Sequence, residues 1–120
     1  MAQIALMYHD AYKQDIQESG FHEVSACIYK IRLDSFAHQI SLIHEYIQKE
    51  GINIESVCLT FDDGGSSSYS IIAPILEKYN FKGYFFVASR FVGTDGFMTE
   101  DQIRELKQER TCSGRTFTFT

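Results

Sequence analysis

Two adjacent carboxylates, Asp62 and Asp63, end the apolar part of "SVCLTFDDGGSSSYS" (56–70). The residues before them are largely apolar or β-branched and read as a buried strand. Gly64 and Gly65 follow at once, the residue type that lets backbone turn sharply beside a ligand. In parallel α/β folds chemistry gathers where strands end, in the loops that lead to helices. Alternation along a strand sends neighbouring side chains apart, so two adjacent acids can take different tasks. One can bind a metal while the other faces an attacking water. That is the equipment of metal-assisted hydrolysis, in which the metal polarises a carbonyl and a carboxylate takes the water's proton. A plain polar turn is the competing account, because Asp and Gly both favour turns for local reasons.

Other chemistries fit less well. "GGSSS" lacks the Gly-Lys-Ser/Thr ending of a phosphate-binding loop. A phospho-acceptor domain would need a further Asp and a Lys at later strand ends, and that order does not occur. Cys27, Cys58 and Cys112 are odd in number and widely spaced, so they suggest neither a disulfide framework nor a CxxC metal site. Cys58 reads as a small core residue. A net charge of −5 with no basic cluster disfavours nucleic acid and anionic membrane surfaces. No apolar run approaches the roughly 20 residues of a membrane span. The start "MAQIALMYHD" has neither a basic segment nor a long apolar one, so the chain as written is expected to be cytoplasmic.

The elements that must position the acids follow from periodicity. Residues 3–9 are a short apolar run of strand length. Residues 10–31 are polar and aperiodic, a long loop with a strand fragment near residues 26–31; loops of this length are uncommon and often functional. "DSFAHQISLIHEYIQKEG" is a helix with Phe36, Ile40, Ile43 and Ile47 on one face, Asp34 or Ser35 as N-cap and Gly51 past its end. His38 and His44 lie on different faces of it and read as ordinary surface histidines. "ESVCLTF" is the second strand. Residues 67–79 form a helix capped by Ser66 or Ser67, with Pro74 bending it or delaying its regular start. Residues 82–89 are the third strand, and "TEDQIRELKQE" is a helix opened by a Thr99–Gln102 capping box. Strands alternating with helices predict an α/β fold of parallel βαβ units in one domain.

With these elements in place, "LTFDDGGSSSYSIIAPILEKYNFKGYFFV" resembles the first motif region of the polysaccharide deacetylase family, the NodB-homology or family 4 carbohydrate esterases. The Thr-Phe-Asp-Asp-Gly core stands at Thr60 to Gly64, and "ALMYHD" resembles the opening strand of one subgroup. The likeness is close over 57–88 and loose over 3–109. It implies the N-terminal portion of a distorted (β/α) barrel. It also implies a hydrolase that removes acetyl groups from N-acetylated poly- or oligosaccharides with a divalent metal, zinc in many members, held by one Asp and two His. By that likeness Asp62 is the general base, Asp63 the metal ligand and His9 the general acid for the leaving amine. Imidazole suits that last role near neutral pH; the bland account of His9 is a strand-end histidine with no task.

The family's second motif, a histidine pair after the third strand and its helix, is missing. No histidine follows His44, and its place is held by "ERTCSGRTFTFT". The expected division is therefore a partial deacetylase domain at 1–109 and an aberrant tail at 110–120. One codon choice explains the tail. If Arg110 to Gly114 are CGG ACA TGT AGT GGG, a shift of one nucleotide reads Gly-His-Val-Val. The codons of Arg115 to Thr120 can be shifted likewise to Ala-His-Leu-His-Leu, with a further histidine just beyond. The expectation is a frameshift near Glu109 and little activity in the chain as written. The alternative is a non-catalytic fragment or pseudoenzyme that acts by pairing an open sheet edge, with Tyr84, Phe85 and Phe86 of the third strand exposed, to a partner.

Overall fold

The computed structural model describes residues 4–108 and 115–120. Four strands, β1 (Ile4–Tyr8), β4 (Val57–Asp63), β5 (Gly83–Val87) and β6 (Arg115–Phe119), make one sheet in the order β1-β4-β5-β6. Every pairing in it is parallel. The expected parallel α/β architecture is thus present. β6 adds a strand not read from the sequence: it pairs β5 from Gly83–Arg115 to Val87–Phe119. β5 is therefore not an open edge, and Phe85 is buried rather than exposed. The expected boundary after Glu109 lies outside the described residues.

One face of the sheet carries the core. Val57, Leu59, Phe61, Phe85 and Val87 cluster with Phe36, Ile40 and Ile47 of α2 (Leu33–Glu50). Ile72, Ala73 and Leu76 join them from the segment that leads into and through α3 (Ala73–Tyr79), and Ile103 and Leu106 from α4 (Glu100–Gln108). Register puts an aromatic at the same level of all four strands. Tyr8, Phe61, Phe85 and Phe117 stack side by side at centroid distances of 5.6, 5.1 and 5.2 Å, with rings within 22° of parallel. Phe36 meets Tyr8 and Phe61 edge-on. Such pairs contribute about 0.5–1.5 kcal/mol each beyond their buried area, so the ladder helps fix the register that aligns the strand ends.

Helix boundaries depart from the sequence reading in instructive ways. α2 starts at Leu33 with Arg32 as its cap, and neither Asp34 nor Ser35 caps it. Gly51 does close it, in the left-handed conformation at φ 68°. Ser68–Ile72 is wound as a π-helix before regular α-helix begins at Ala73. Pro74, which has no N–H to donate, stands in the first turn of that regular part. Ser67 makes no side-chain cap there, because its hydroxyl is engaged elsewhere. The Thr99–Gln102 capping box is present in both directions, at 3.0 and 3.1 Å. Cys58 is half-buried rather than a core residue.

The expected long loop is not structureless. It contains β2 (Asp10–Tyr12), α1 (Val24–Cys27) and β3 (Lys30–Arg32), with β2 and β3 paired in parallel. Ala26 and Cys27, expected at the start of a strand fragment, are helical.

Candidate active site

Parallel register builds the site. Tyr8 pairs Phe61, so the next residues along the two strands, His9 and Asp62, come side by side at the C-terminal ends. His9 Nδ1 lies 3.7 Å from Asp62 Oδ2 and 3.8 Å from Asp63 Oδ2. The three residues singled out from the sequence are therefore brought together, each with a half-buried side chain. The expected separation of the two carboxylates is not kept. Asp63 takes a positive φ of 78°, which ends the strand's alternation, and both acids reach the same imidazole.

The glycines after the pair have specific reasons. Gly64 has a φ of 80°, and a Cβ there would stand 2.9 Å from Val87 Cγ1. At Gly65 a Cβ would lie 2.7 Å from Ser19 Oγ and 2.9 Å from Asp10 Oδ1. The loop must be bare backbone because β5 crowds one side of it and the 13–29 loop the other. Further bonds knit three loops together over the strand ends. Gly96 O accepts from the N–H groups of Gly20 and Ser66, and Gly64 O accepts from Met98 N. Rings of Phe21, Phe91 and Phe97 pack within 4.8–5.1 Å of one another beneath them.

Burial pushes the Asp63 carboxyl above the usual carboxylate range; His9 pulls it back, while Asp62 and Asp10 push it further up. An acid perturbed by burial and by named neighbours in a cleft is a candidate for a functional role. The cleft is about 300 Å³ and is lined by His9, Asp63, Phe21 and Tyr29 among others. The Tyr29 ring also lies 4.8 Å from that of His9.

A metal centre does not follow from these residues. Zinc takes about three protein ligands and keeps one position open. Among the described residues no three His, Cys, Asp or Glu side chains are grouped to hold a metal ion. The other histidines stand apart in role: His22 is exposed in the 13–29 loop, His38 is exposed on α2, and His44 packs against Tyr79 and Phe81. Asp63 would be one ligand; among the described residues no further pair of ligands is grouped with it.

Sequence reasoning missed the polar cluster behind the site. Asp10 is buried and holds Ser19, Ser67 and the Ala11 amide, with Lys30 beside it. A charged residue directly after His9 in an apolar strand context was the available signal.

A parallel sheet with paired acids and a histidine at its C-terminal edge is an α/β site equipped for acid–base chemistry. Comparison with known proteins supplies the family. The model of the polysaccharide deacetylase family matches residues 49–117, and the chain belongs to that family of amide hydrolases. A Bacillus subtilis (strain 168) protein provisionally described as polysaccharide deacetylase YxkH is 36% identical over 52 residues, 43% of this chain and 19% of its own length. A de-N-acetylase from Aggregatibacter actinomycetemcomitans superposes with a TM-score of 0.67 at 21% identity, over 98% of this chain and 53% of that one. Deacetylase PplD of Streptococcus pyogenes, solved with acetate, gives 0.62 at 21% identity, over 98% of this chain and 55% of that one. IcaB from Ammonifex degensii gives 0.60 at 19%, with coverage of 98% and 55%. The chain spans about half the length of these structures and about a fifth of the curated relative. No helix among the described residues is long and apolar enough to cross a membrane.

Proposed function

We propose that this chain is the N-terminal part of a metal-dependent deacetylase that hydrolyses the acetamido group of N-acetylated sugars in a poly- or oligosaccharide. The observation that carries the reading is His9 within 4 Å of both carboxylates at neighbouring parallel strand ends, in a chain of this family. The names of two structural relatives, a de-N-acetylase and a deacetylase holding acetate, favour acetyl transfer to water. Asp62 takes a proton from water, whose oxygen bonds to the acetyl carbon. The carbon–nitrogen bond then breaks as protonated His9 gives its proton to the leaving nitrogen, and acetate and amine depart. A divalent metal, zinc by family likeness, would polarise the acetyl carbonyl, with Asp63 among its ligands. Since the described residues group no further ligands with Asp63, no step here is assigned to it, and residues 1–120 on their own carry little or no activity.

The test is acetate release from an N-acetylated chito-oligosaccharide, with and without added zinc, beside a zinc-binding titration. Release no greater than that of Asp62→Asn is expected. Zinc-dependent release that Asp62→Asn abolishes would overturn the incomplete site while keeping the family chemistry. We further propose that 1–109 is the partial domain and that the reading frame shifts near Glu109. DNA downstream of that codon decides it: a shifted frame without a histidine pair ends the idea. A second reading, a non-catalytic chain that works by pairing with a partner, is favoured by the exposure of Met7 and Phe86 on one sheet face. A discrete oligomer in size-exclusion mass measurements would support it, and a clean monomer would not.

A further inference from the structure

Asp10 and Lys30 lie behind the site, and the proposed chemistry uses neither. The Asp10 side chain is 5% exposed and the Lys30 side chain 1%. Groups this costly to bury are retained only when bonded or paired. Asp10 Oδ1 takes three donors: Ser19 Oγ at 2.8 Å, the Ala11 amide at 3.0 Å and Ser67 Oγ. Each belongs to a different part of the chain. Ala11 is in β2, the strand that follows His9. Ser67 sits four residues after Asp63, and its hydroxyl also accepts from Ala11 N at 3.0 Å. Ser19 is in the 13–29 loop, and its hydroxyl accepts from Ser67 N at 2.9 Å.

Lys30 closes the arrangement from the far end of that loop. Its ammonium donates to Ile16 O and Ser19 O, both at 2.7 Å, and lies 4.0 Å from Asp10 Oδ2. Oδ2 is buried without a hydrogen-bond partner. Gly20 makes room for it, since a Cβ there would stand 2.1 Å away. Asp10 and Lys30 line the same cleft as His9 and Asp63.

We infer that Asp10 and Lys30 form a buried clamp of positioning residues, which sets the 13–29 loop and the Gly64–Ser67 turn against His9 and so fixes the width of the cleft. Three segments meet on one carboxylate oxygen, and the ammonium ties two carbonyls of the loop to the same point. Burial raises the Asp10 carboxyl above its ordinary range against the pull of Ser67, Ser19, Ala11 and Lys30, in keeping with an acid kept for its geometry. The inference rests on the deacetylase reading only in calling the framed residues a site, and its test needs no catalysis.

The experiment is amide hydrogen exchange on the ¹⁵N-labelled chain, with the imidazole resonances of His9 followed in parallel. Asp10→Ala should speed exchange at Gly20, Ser66 and Ser67 by about tenfold or more, as expected for a local opening, while Leu59, Phe61 and Phe85 keep their protection. The His9 resonances should move with it. Asp10→Asn keeps an acceptor oxygen for the three donors, so Ser67 protection and the His9 resonances should return toward wild type. If Asp10→Ala fails to fold, Ser19→Ala cuts the bridge to Ser67 and is expected to free the same amides. Unchanged loop exchange, equal acceleration of every amide, or an unmoved His9 would each overturn the clamp. None of these outcomes bears on acetate release, so the two proposals fail separately.

Discussion

The two faces of the sheet differ more than its strands do. On one, Phe85 is 1% exposed and lies within the Tyr8–Phe61–Phe85–Phe117 ladder under the helices. On the other, one residue along, Phe86 is 39% exposed, and across the sheet Met7 is 73% exposed. Parallel sheets are normally covered on both faces. Thr60, Asp62 and Phe86 share the open face by strand alternation and register. Part of the proposed chemistry therefore belongs to the side that this chain leaves uncovered. The covered face makes the fold, and the open face carries Met7 and Phe86 exposed.

The comparison breaks most sharply at adjacent residues. Phe85→Ala removes a buried ring from the ladder and should cost about 3–5 kcal/mol, in the usual range for buried Phe. Phe86→Ala, on the same strand, should cost under about 1 kcal/mol, since an exposed ring loses little transfer energy. Urea unfolding midpoints of the two variants check this. Equal losses would mean that the second face is covered in solution. Next in size is Gly64→Ala, where the faces meet at the site. A side chain at a φ of 80°, 2.9 Å from Val87 Cγ1, should cost about 1–3 kcal/mol. A neutral result would show that the turn can relax away from β5.

A smaller effect tests what lies behind the site. The Asp10 carboxyl is raised in the folded chain, chiefly by burial, against the opposing influence of Ser67, Ser19, Ala11 and Lys30. The folded state thus holds this proton more tightly than the unfolded state, whose value is about 3.9. Where the native state binds more protons, stability falls as pH rises. Wild type should therefore lose stability relative to Asp10→Asn as pH climbs from about 4, until the raised folded value is passed. Thermal midpoints of both proteins across that interval give the sign. A wild type that gains on Asp10→Asn with rising pH would show that Lys30 and the three donors outweigh burial.

Much of this was legible beforehand, and the parts that were not share a cause. The strand ending in Asp62 and Asp63, the helix ending at Gly51 and the Thr99–Gln102 box carry local signals: apolar runs, a left-handed cap, a capping pattern. The grouping of His9 with Asp62 and Asp63 came from motif likeness and parallel topology together. The short strands Asp10–Tyr12 and Lys30–Arg32 carry no period to detect, because three residues are too few. They are held by the Asp10 cluster, whose serine partners lie 9 and 57 residues away. Strand β6 was hidden for another reason. Arg115–Phe119 alternates Thr and Phe as a strand should, but five residues are a weak local signal and their place is set by pairing with β5. The caps at Asp34 and Ser35 failed because the helix already starts at Leu33, and the one at Ser67 because its hydroxyl is spent on Asp10.

The smallest expected effect asks most of the open face. Met7 lies on β1, next to Thr60 of β4, and is the second most exposed large apolar side chain after Val24. Met7→Lys puts a charge on that face where no described residue covers it. The change in unfolding free energy should stay within about 0.5 kcal/mol, as for other exposed positions. In a longer protein whose remaining strands close over this face, the same ammonium would be buried without a partner and strongly destabilising. The substitution therefore reports on the surroundings of the sheet rather than on methionine. A neutral Met7→Lys in a monomer fits a chain standing alone with half a site. A costly one, accompanied by loss of a discrete oligomer, would mean that the open face is occupied by a partner and that the second reading of function is the better one.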